Sequence, residues 1–144
     1  MEQRDVEAVL AIQALSPEIA QWTPQAYRIA ASSEAPAWVA ELDEQVVGFL
    51  VTRQVLDEIE ILNLAVRPDS RRHHLGSLLL REAFKYGLKH GAARSHLEVR
   101  ASNKPALQFY KCNGFTEAGR RRHYYSAPVE DALLFSTDLA GFPH

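Results

Sequence analysis

The stretch that most constrains the fold of this chain is a strand, a basic loop and a helix that follow one another directly. Residues 59–66 are mainly apolar, which predicts a buried strand, and Pro68 with Asp69 ends it. Apolar side chains then recur at the spacing of a helix: Leu75, Leu78, Leu79, Phe84 and Leu88. A further strand is predicted over residues 95–99. Because a strand–helix–strand crossover is right-handed and returns in the same direction, we expect these two strands to form a parallel pair.

The remaining elements predict an α/β fold around that pair. Apolar spacing and capping residues predict helices over residues 2–15, 24–31 and 103–113. Apolar runs between turn residues predict strands over residues 37–42, 46–52, 115–125 and 132–139. Asp5, Thr23 and Asn103 are the expected N-caps, and the acidic residues 129–131 are expected to form a solvated turn. We therefore expect a single domain over residues 1–144, with a mixed, mostly antiparallel sheet flanked by helices.

Composition excludes several classes of protein. The net charge of the 144-residue chain is −2 and its pI is about 6.3, which argues against binding nucleic acid through bulk positive charge. The sequence contains no signal peptide and no apolar run of membrane-spanning length, so we expect no membrane partner. The single cysteine, Cys112, cannot form an internal disulfide, and the histidines show no metal-ligand spacing. We expect a cytoplasmic protein without a metal.

The loop before the long helix has the chemistry of an anion-binding site. The first turn of a helix offers unpaired backbone N–H groups and a partial positive charge. Gly76 lets a ligand approach the backbone, Ser77 adds a hydroxyl, and Arg71 and Arg72 add full charges. This combination suits a phosphate or pyrophosphate. A solvated basic turn before an ordinary surface helix explains the same residues equally well.

Four stretches around this loop carry recognisable patterns in a fixed order. They are residues 63–68 (NLAVRP), 97–103 (LEVRASN), 106–115 (ALQFYKCNGF) and 121–132 (RRHYYSAPVEDA). Together with the loop they resemble the GNAT superfamily of acetyl-CoA-dependent N-acetyltransferases, over residues 8–139. Within it, the chain is most similar to the ribosomal-protein-alanine N-acetyltransferases of the RimI type. The resemblance implies an enzyme that transfers acetyl from acetyl-CoA to the N-terminal α-amine of a protein, such as a ribosomal protein, by direct attack in a ternary complex.

The resemblance also implies which residues hold acetyl-CoA. The loop and the first helical turn are expected to bind its pyrophosphate through these residues: Arg71, Arg72, His73, His74, Leu75, Gly76 and Ser77. The backbone N–H groups of Leu64, Ala65 and Val66, where the corresponding strand of the family bulges, are expected to polarise the thioester carbonyl. Asn103 is expected to contact the pantetheine arm, although an N-cap explains it equally well.

Two further residues are implied in proton transfer. Glu98 corresponds to the base that takes a proton from the amine through water. A weak base suffices because an α-amine has a pKa near ~7.7–8.0, against ~10.4 for lysine. Tyr110 corresponds to the acid that protonates the leaving thiolate. The alternatives are a solvent-facing strand glutamate and a core aromatic, and the rival functions are a small-molecule amine N-acetyltransferase and a catalytically weak acyl-CoA-binding module.

The chain departs from the family pattern at two places. The family loop reads Q/R-x-x-G-x-G/A, and His74 stands where the first glycine belongs. A positive φ costs a residue other than glycine roughly 1–2 kcal/mol, so we expect weaker binding of acetyl-CoA than is usual in the family. Family members also begin with a strand, whereas a helix begins at once here. Either that first strand is missing or its coding start lies upstream. If it is missing, we expect one sheet edge to be open, which a homodimer would cover.

Overall fold

The computed structural model describes residues 1–32, 36–126 and 128–140, and in that part of the chain one six-stranded sheet carries helices on both faces. The α-helices are α1 (Val6–Ala14), α2 (Pro24–Ser32), α3 (Leu75–Lys89) and α4 (Lys104–Cys112). The strands are β1 (Ala37–Leu42), β2 (Gln45–Val55), β3 (Glu58–Val66), β4 (Arg94–Arg100), β5 (Thr116–Ser126) and β6 (Val129–Asp138). Short 3₁₀ helices, Gln3–Asp5 and Pro68–His73, precede α1 and α3. The predicted α/β class is confirmed.

The sheet order is β1-β2-β3-β4-β6-β5, and the β3–β4 pair is parallel while every other neighbouring pair is antiparallel. The predicted parallel pair is therefore confirmed. Its ladder joins residues 58–61 of β3 to residues 94–97 of β4. Beyond that ladder the two strands part, and a gap opens in the middle of the sheet at their carboxyl ends.

Each face of the sheet has its own core. Helices α3 and α4 cover one face, where Leu80, Phe84 and Leu107 pack with residues of the central strands. Helices α1 and α2 cover β2 and β3 on the other face, where Ile12 and Tyr27 are buried. The gap between β3 and β4 is therefore bordered by a different layer of helices on each side. No helix in the described residues is long and apolar enough to cross a membrane.

Two of the three predicted N-caps are confirmed. Thr23 Oγ1 accepts a hydrogen bond from the N–H of Ala26 (3.1 Å), and Asn103 Oδ1 accepts one from the N–H of Ala106 (3.3 Å). Asp5 precedes α1 but its side chain does not cap it. Its Oδ2 instead accepts from the N–H of Glu2 (2.8 Å), because a 3₁₀ turn precedes the helix and offers that donor first.

The ends of the sheet differ from expectation at one point. Residues 129–131, a valine followed by two acidic residues, are not a solvated turn but the start of β6, where Ser126 pairs with Val129 and Tyr125 with Glu130. At the opposite edge, residues 1–32 contain no strand, so β1 is the outermost strand described. There the N-terminal ammonium of Met1 donates to the carbonyl oxygen of Ala37 (2.9 Å).

Candidate active site

Strand β3 contains a bulge beside the gap. Val51 of β2 pairs with Asn63, while the next residue, Thr52, pairs with Ile61, so Leu62 is an additional residue on β3. The family resemblance placed the bulge later, at residues 64–66. The sequence does not reveal this shift, because an extra residue in a ladder changes no residue type.

The ladder beyond the bulge decides which N–H groups face the gap. The N–H of Arg67 donates to the carbonyl oxygen of Val47 (2.7 Å). Hydrogen-bonded pairs alternate along an antiparallel ladder, so the N–H of Ala65 points toward β2. The N–H groups of Leu64 and Val66 point the other way, into the gap. Of the three expected donors, Leu64 and Val66 are therefore available to a ligand, whereas the N–H of Ala65 belongs to the sheet.

A cavity of about 230 Å³ opens at the gap. It is lined by these residues: Glu18, Ile19, Leu64, Ala65, Val66, Arg71, Gly76, Asn103, Pro105, Ala106, Phe109 and Tyr110. It therefore unites the end of β3 with the predicted loop, the predicted cap of α4 and the predicted tyrosine. Ala106 and Phe109 were missed, although they share helical spacing with Asn103 and Tyr110. Glu18 and Ile19 lie in the α1–α2 connection and carry no local sequence signal.

Hydrogen bonds hold the α1–α2 connection against the sheet. Asn63 Nδ2 donates to the carbonyl oxygen of Ala20 (3.0 Å) and to the hydroxyl oxygen of Tyr27 (2.9 Å). Gln13 Nε2 donates to the carbonyl oxygen of Trp22 (2.9 Å). These buried amides hold the second half of the connection, close to Glu18, which lines the cavity.

Arg71 joins three parts of the cavity wall. Its Nε donates to the carbonyl oxygen of Val66 (3.2 Å), and its Nη2 lies 3.4 Å from Glu18 Oε1. The side chain is half-exposed, so the ion pair adds little to stability. Its effect is geometric, because it ties the basic loop to the end of β3 and to the α1–α2 connection.

His74 adopts the left-handed conformation expected of the glycine it replaces. Its φ is 56° and its ψ is 27°, at the junction of the 3₁₀ helix and α3. The first α-helical hydrogen bond runs from the N–H of Leu78 to the carbonyl oxygen of His74 (3.1 Å). The N–H groups of Leu75, Gly76 and Ser77 precede that bond and are the available donors of the first turn. This is the geometry of an anion-binding helix start.

The other loop residues lie outside the cavity. His73 is exposed at the end of the 3₁₀ helix, and the Leu75 side chain is buried in the α3–α4 core. Ser77 lines a separate groove with Arg81. Arg72 contributes its backbone to the 3₁₀ helix, and its side chain lies outside the described part of the structure. The backbone of this turn, more than its side chains, therefore faces a ligand.

Gly76 has a packing role as well as the expected one. A Cβ atom at this position would lie 2.9 Å from Cζ of Phe109, closer than nonbonded carbons approach. Glycine therefore lets α4 pack directly against the start of α3. This contact brings the cap of α4 and the available N–H groups of α3 to the same cavity.

Tyr110 borders the cavity from the α3–α4 face. Its side chain is 8% exposed, and its ring makes edge contacts with Phe109 and Phe115, at centroid distances of 5.2 and 5.5 Å. Burial raises the pKa of its hydroxyl above the ordinary value. The phenol is therefore protonated at neutral pH, as a hydrogen-bond donor must be.

Glu98 lies on the opposite face of the sheet. It stands between the buried residues Leu97 and Val99 of β4, and alternation turns its carboxylate away from their core. Its Oε1 lies 3.1 Å from Nε of Arg121, and its side chain is 21% exposed. Glu98 is therefore outside the cavity that holds Tyr110, and it borders the gap from the other side.

The conformation of His74 leads to a prediction about stability. Because His74 has this left-handed geometry in the folded structure, we expect its strain to be a cost of folding and not of binding. His74→Gly should raise the free energy of unfolding by about 1 kcal/mol, which raises the melting temperature by about 2–4 °C. It should leave the affinity for acetyl-CoA at pH 8 unchanged.

Thermal melts and acetyl-CoA titrations at pH 8 measure this. His73→Gly is the matched control, because His73 lies in the right-handed 3₁₀ helix and glycine there should lower stability. Tenfold tighter binding by His74→Gly at pH 8 would show that the strain is a cost of binding after all.

Comparisons with known proteins agree with this geometry. The model of the acetyltransferase (GNAT) family matches residues 7–115. The [ribosomal protein bS18]-alanine N-acetyltransferase of Salmonella typhimurium is 38% identical over 100 residues, which cover 68% of this chain and 68% of that protein. The N-alpha-acetyltransferase of Sulfurisphaera tokodaii is 35% identical over 119 residues, covering 74% and 71%.

A solved structure shows the same fold along nearly the whole chain. The crystal structure of the ribosomal-protein-S18-alanine N-acetyltransferase from Escherichia coli matches with a TM-score of 0.83 at 31% identity, covering 96% of this chain and 90% of that one. The family match, the fold and the available donors at the start of α3 agree with one another. The chain belongs to the GNAT family and is an acetyl-CoA-dependent N-acetyltransferase.

Proposed function

We propose that this enzyme acetylates the N-terminal α-amine of a protein, and that ribosomal protein bS18 is the first acceptor to test. One observation carries the proposal: the cavity that Tyr110 lines opens on one side of the gap between β3 and β4, and Glu98 lies on the other side of that gap. An acyl donor and an amine can therefore meet in the gap from opposite faces. The choice of a protein N-terminus is supported by the names of the relatives in Salmonella typhimurium and Sulfurisphaera tokodaii.

The residues at the cavity fit acetyl-CoA, which supplies an acetyl group activated as a thioester. The N–H groups of Leu75, Gly76 and Ser77 suit its pyrophosphate. The cavity continues from Gly76 past Asn103 to the end of β3, which suits an extended amide-containing arm. At that end, the N–H groups of Leu64 and Val66 are the donors available to the oxygens of the arm and of the acyl group.

The proposed reaction is a direct transfer. The amine nitrogen forms a bond to the acyl carbon as the bond from that carbon to sulfur breaks, and the N–H groups of β3 stabilise the charge that develops on the acyl oxygen. The proton of the amine passes through water to Glu98. The hydroxyl of Tyr110 donates to the departing sulfur, which leaves as the thiol.

Burial changes the expected role of Tyr110. An ordinary tyrosine has a pKa near ~10, and burial raises the pKa of the Tyr110 hydroxyl above that value. A thiol has a pKa near ~8.5, so full proton transfer from the phenol to the thiolate is uphill. We propose that Tyr110 acts mainly by donating a hydrogen bond to sulfur while the charge develops, and that solvent supplies the final proton.

The acceptor class is tested with three amines of different chemistry. These are a peptide with the N-terminal sequence of bS18, the same peptide with a blocked N-terminus and an added lysine, and a polyamine. We expect acetylation of the first, measured by mass spectrometry, and little of the others. Turnover of the polyamine in preference to the peptide would favour the small-molecule alternative, and acetyl-CoA binding without turnover would favour the weak acyl-CoA-binding module.

A further inference from the structure

The β5–β6 hairpin stands beside Glu98 and contains a second bulge. Arg121 pairs with Ala132 while Tyr125 pairs with Glu130, so β5 carries two additional residues between these pairs. His123, inside the bulge, has a left-handed φ of 51°. Bulges of this kind redirect side chains. We call residues 120–126 and 128–131 the hairpin arm.

Asp131 holds the bulge of the hairpin arm from within. Its Oδ1 accepts a hydrogen bond from the N–H of His123 (3.0 Å), and its Oδ2 accepts one from Nη1 of Arg120 (2.9 Å). The backbone donor, followed by the guanidinium, holds the pKa of Asp131 below its usual value. The strained residue is therefore held by a carboxylate that stays ionised.

Arg100 holds the hairpin arm from outside, at the end of β4. Its Nη1 lies 3.0 Å from Glu130 Oε1 and 3.4 Å from the carbonyl oxygen of Pro128. Its guanidinium carbon lies 4.1 Å from the centre of the Tyr125 ring. Ser102 Oγ also donates to Glu130 Oε1 (3.1 Å). Both ionic side chains are largely covered, at 29% and 16% exposure, so this contact is less screened than a surface ion pair.

These contacts converge on the surroundings of Glu98. Glu98 and Arg100 are two residues apart in β4, so their side chains share a face of the sheet. Arg121 of the hairpin arm reaches Glu98 directly (3.1 Å). Burial, followed by the negative charge of Glu98, raises the pKa of Tyr125, which places that ring within electrostatic range of the carboxylate.

We infer that Arg100 is a positioning residue for the acceptor: through Glu130 and the Tyr125 ring, it fixes the hairpin arm beside Glu98 before an acceptor binds. The inference rests on the proposed function, because it takes the side of Glu98 as the acceptor side. If the hairpin arm is already ordered, acceptor binding does not pay the entropy cost of ordering it. Loss of Arg100 should therefore affect the acceptor and not acetyl-CoA, which binds from the other face.

Arg100→Ala tests this, with Arg94→Ala as its matched control. Arg94 lies at the other end of the same strand and makes an ion pair of equal length, 3.0 Å, with Asp138 of β6. In Arg100→Ala we expect the KM for the peptide to rise about tenfold, with the KM for acetyl-CoA within about twofold. Hydrogen exchange of the backbone amides in the hairpin arm should also become faster. The control should show neither change.

Arg100→Lys distinguishes a loss of acceptor positioning from a folding defect in Arg100→Ala. Lysine keeps the charge but lacks the planar fork, so its acceptor KM should fall between those of the wild type and Arg100→Ala. If the wild type acetylates only a small amine, the proposed function fails, and the KM for that amine then tests Arg100 in the same way. If the wild type shows no turnover, the hydrogen-exchange rates of the hairpin arm in Arg100→Ala and Arg94→Ala alone test the inference. Acceptor KM and exchange rates equal to those of Arg94→Ala would overturn the inference.

Discussion

Tyr110→Phe should lower kcat by about 100-fold or more, which is the usual effect of losing one preorganised hydrogen-bond donor to a developing charge. The substitution keeps the ring, and therefore its contacts with Phe109 and Phe115, but removes the hydroxyl that donates to sulfur in the proposed reaction. Acetyl-CoA affinity and melting temperature should change little. Steady-state kinetics, a titration with acetyl-CoA and a thermal melt measure the three quantities.

Tyr27→Phe is the matched control for this experiment. Tyr27 is a buried tyrosine whose pKa burial also raises, but its hydroxyl accepts a hydrogen bond from Asn63 Nδ2 (2.9 Å) and donates one to Gln13 Oε1, under α1 and α2. Its loss should lower stability by about 2 kcal/mol, at about 1 kcal/mol for each bond, and leave kcat of the folded enzyme intact. If Tyr110→Phe behaves like Tyr27→Phe, then Tyr110 is a packing residue and the donor to sulfur is elsewhere.

Glu98→Gln should lower kcat/KM by about 100-fold at pH 6.5, and by progressively less as the pH rises to 9. The direction follows from the amine: below its pKa of ~7.7–8.0 it is protonated and depends on a base, and above that pKa it is neutral. Glutamine keeps the size of the side chain and an oxygen for Arg121. A pH–rate profile from 6 to 9 with the peptide acceptor measures the change.

Glu60→Gln is the control for the pH profile. Glu60 is a similarly covered strand glutamate, with 18% exposure against 21% for Glu98, and it also contacts an arginine, Arg53. It lies in β3 before the bulge, where the parallel ladder is still closed. Its substitution should leave the profile unchanged. A profile for Glu98→Gln that runs parallel to that of the wild type would remove Glu98 from proton transfer.

Local sequence signals were sufficient for the central architecture. The periodicities before and after the basic loop differ so clearly that the strand, the loop and α3 follow from them, and the crossover rule then determines the parallel pair. The caps at Thr23 and Asn103 were equally accessible, because a cap depends on one residue and the helix it begins. The left-handed position of His74 also follows from the loop pattern.

What the sequence could not show depends on residues that are distant along the chain. Glu18 reaches the cavity because Asn63 holds the α1–α2 connection from the sheet. Residues 129–131 resemble a solvated turn by composition, but pairing with residues 125 and 126 of β5 makes them part of a strand, and the contact with Arg100 of β4 makes Glu130 an anchor. Asp5 was misjudged for a local reason, since a preceding 3₁₀ turn competed for its carboxylate.

The bulge at Leu62 exists because β3 has one more residue than the part of β2 with which it pairs, and not because of any one side chain. Before Leu62, odd-numbered residues such as Ile59 and Ile61 pack under α3 and α4; after it, the even-numbered Leu64 and Val66 do so. Removing Leu62 would restore a regular ladder, because residues 63–66 would keep their present partners in β2 and therefore their faces. The N–H of Ala65 would still point toward β2, and those of Leu64 and Val66 away from it, but β3 would lose the local bend that a bulge introduces. Replacing Leu62 would keep that bend, so it depends on the number of residues in the strand and not on their type.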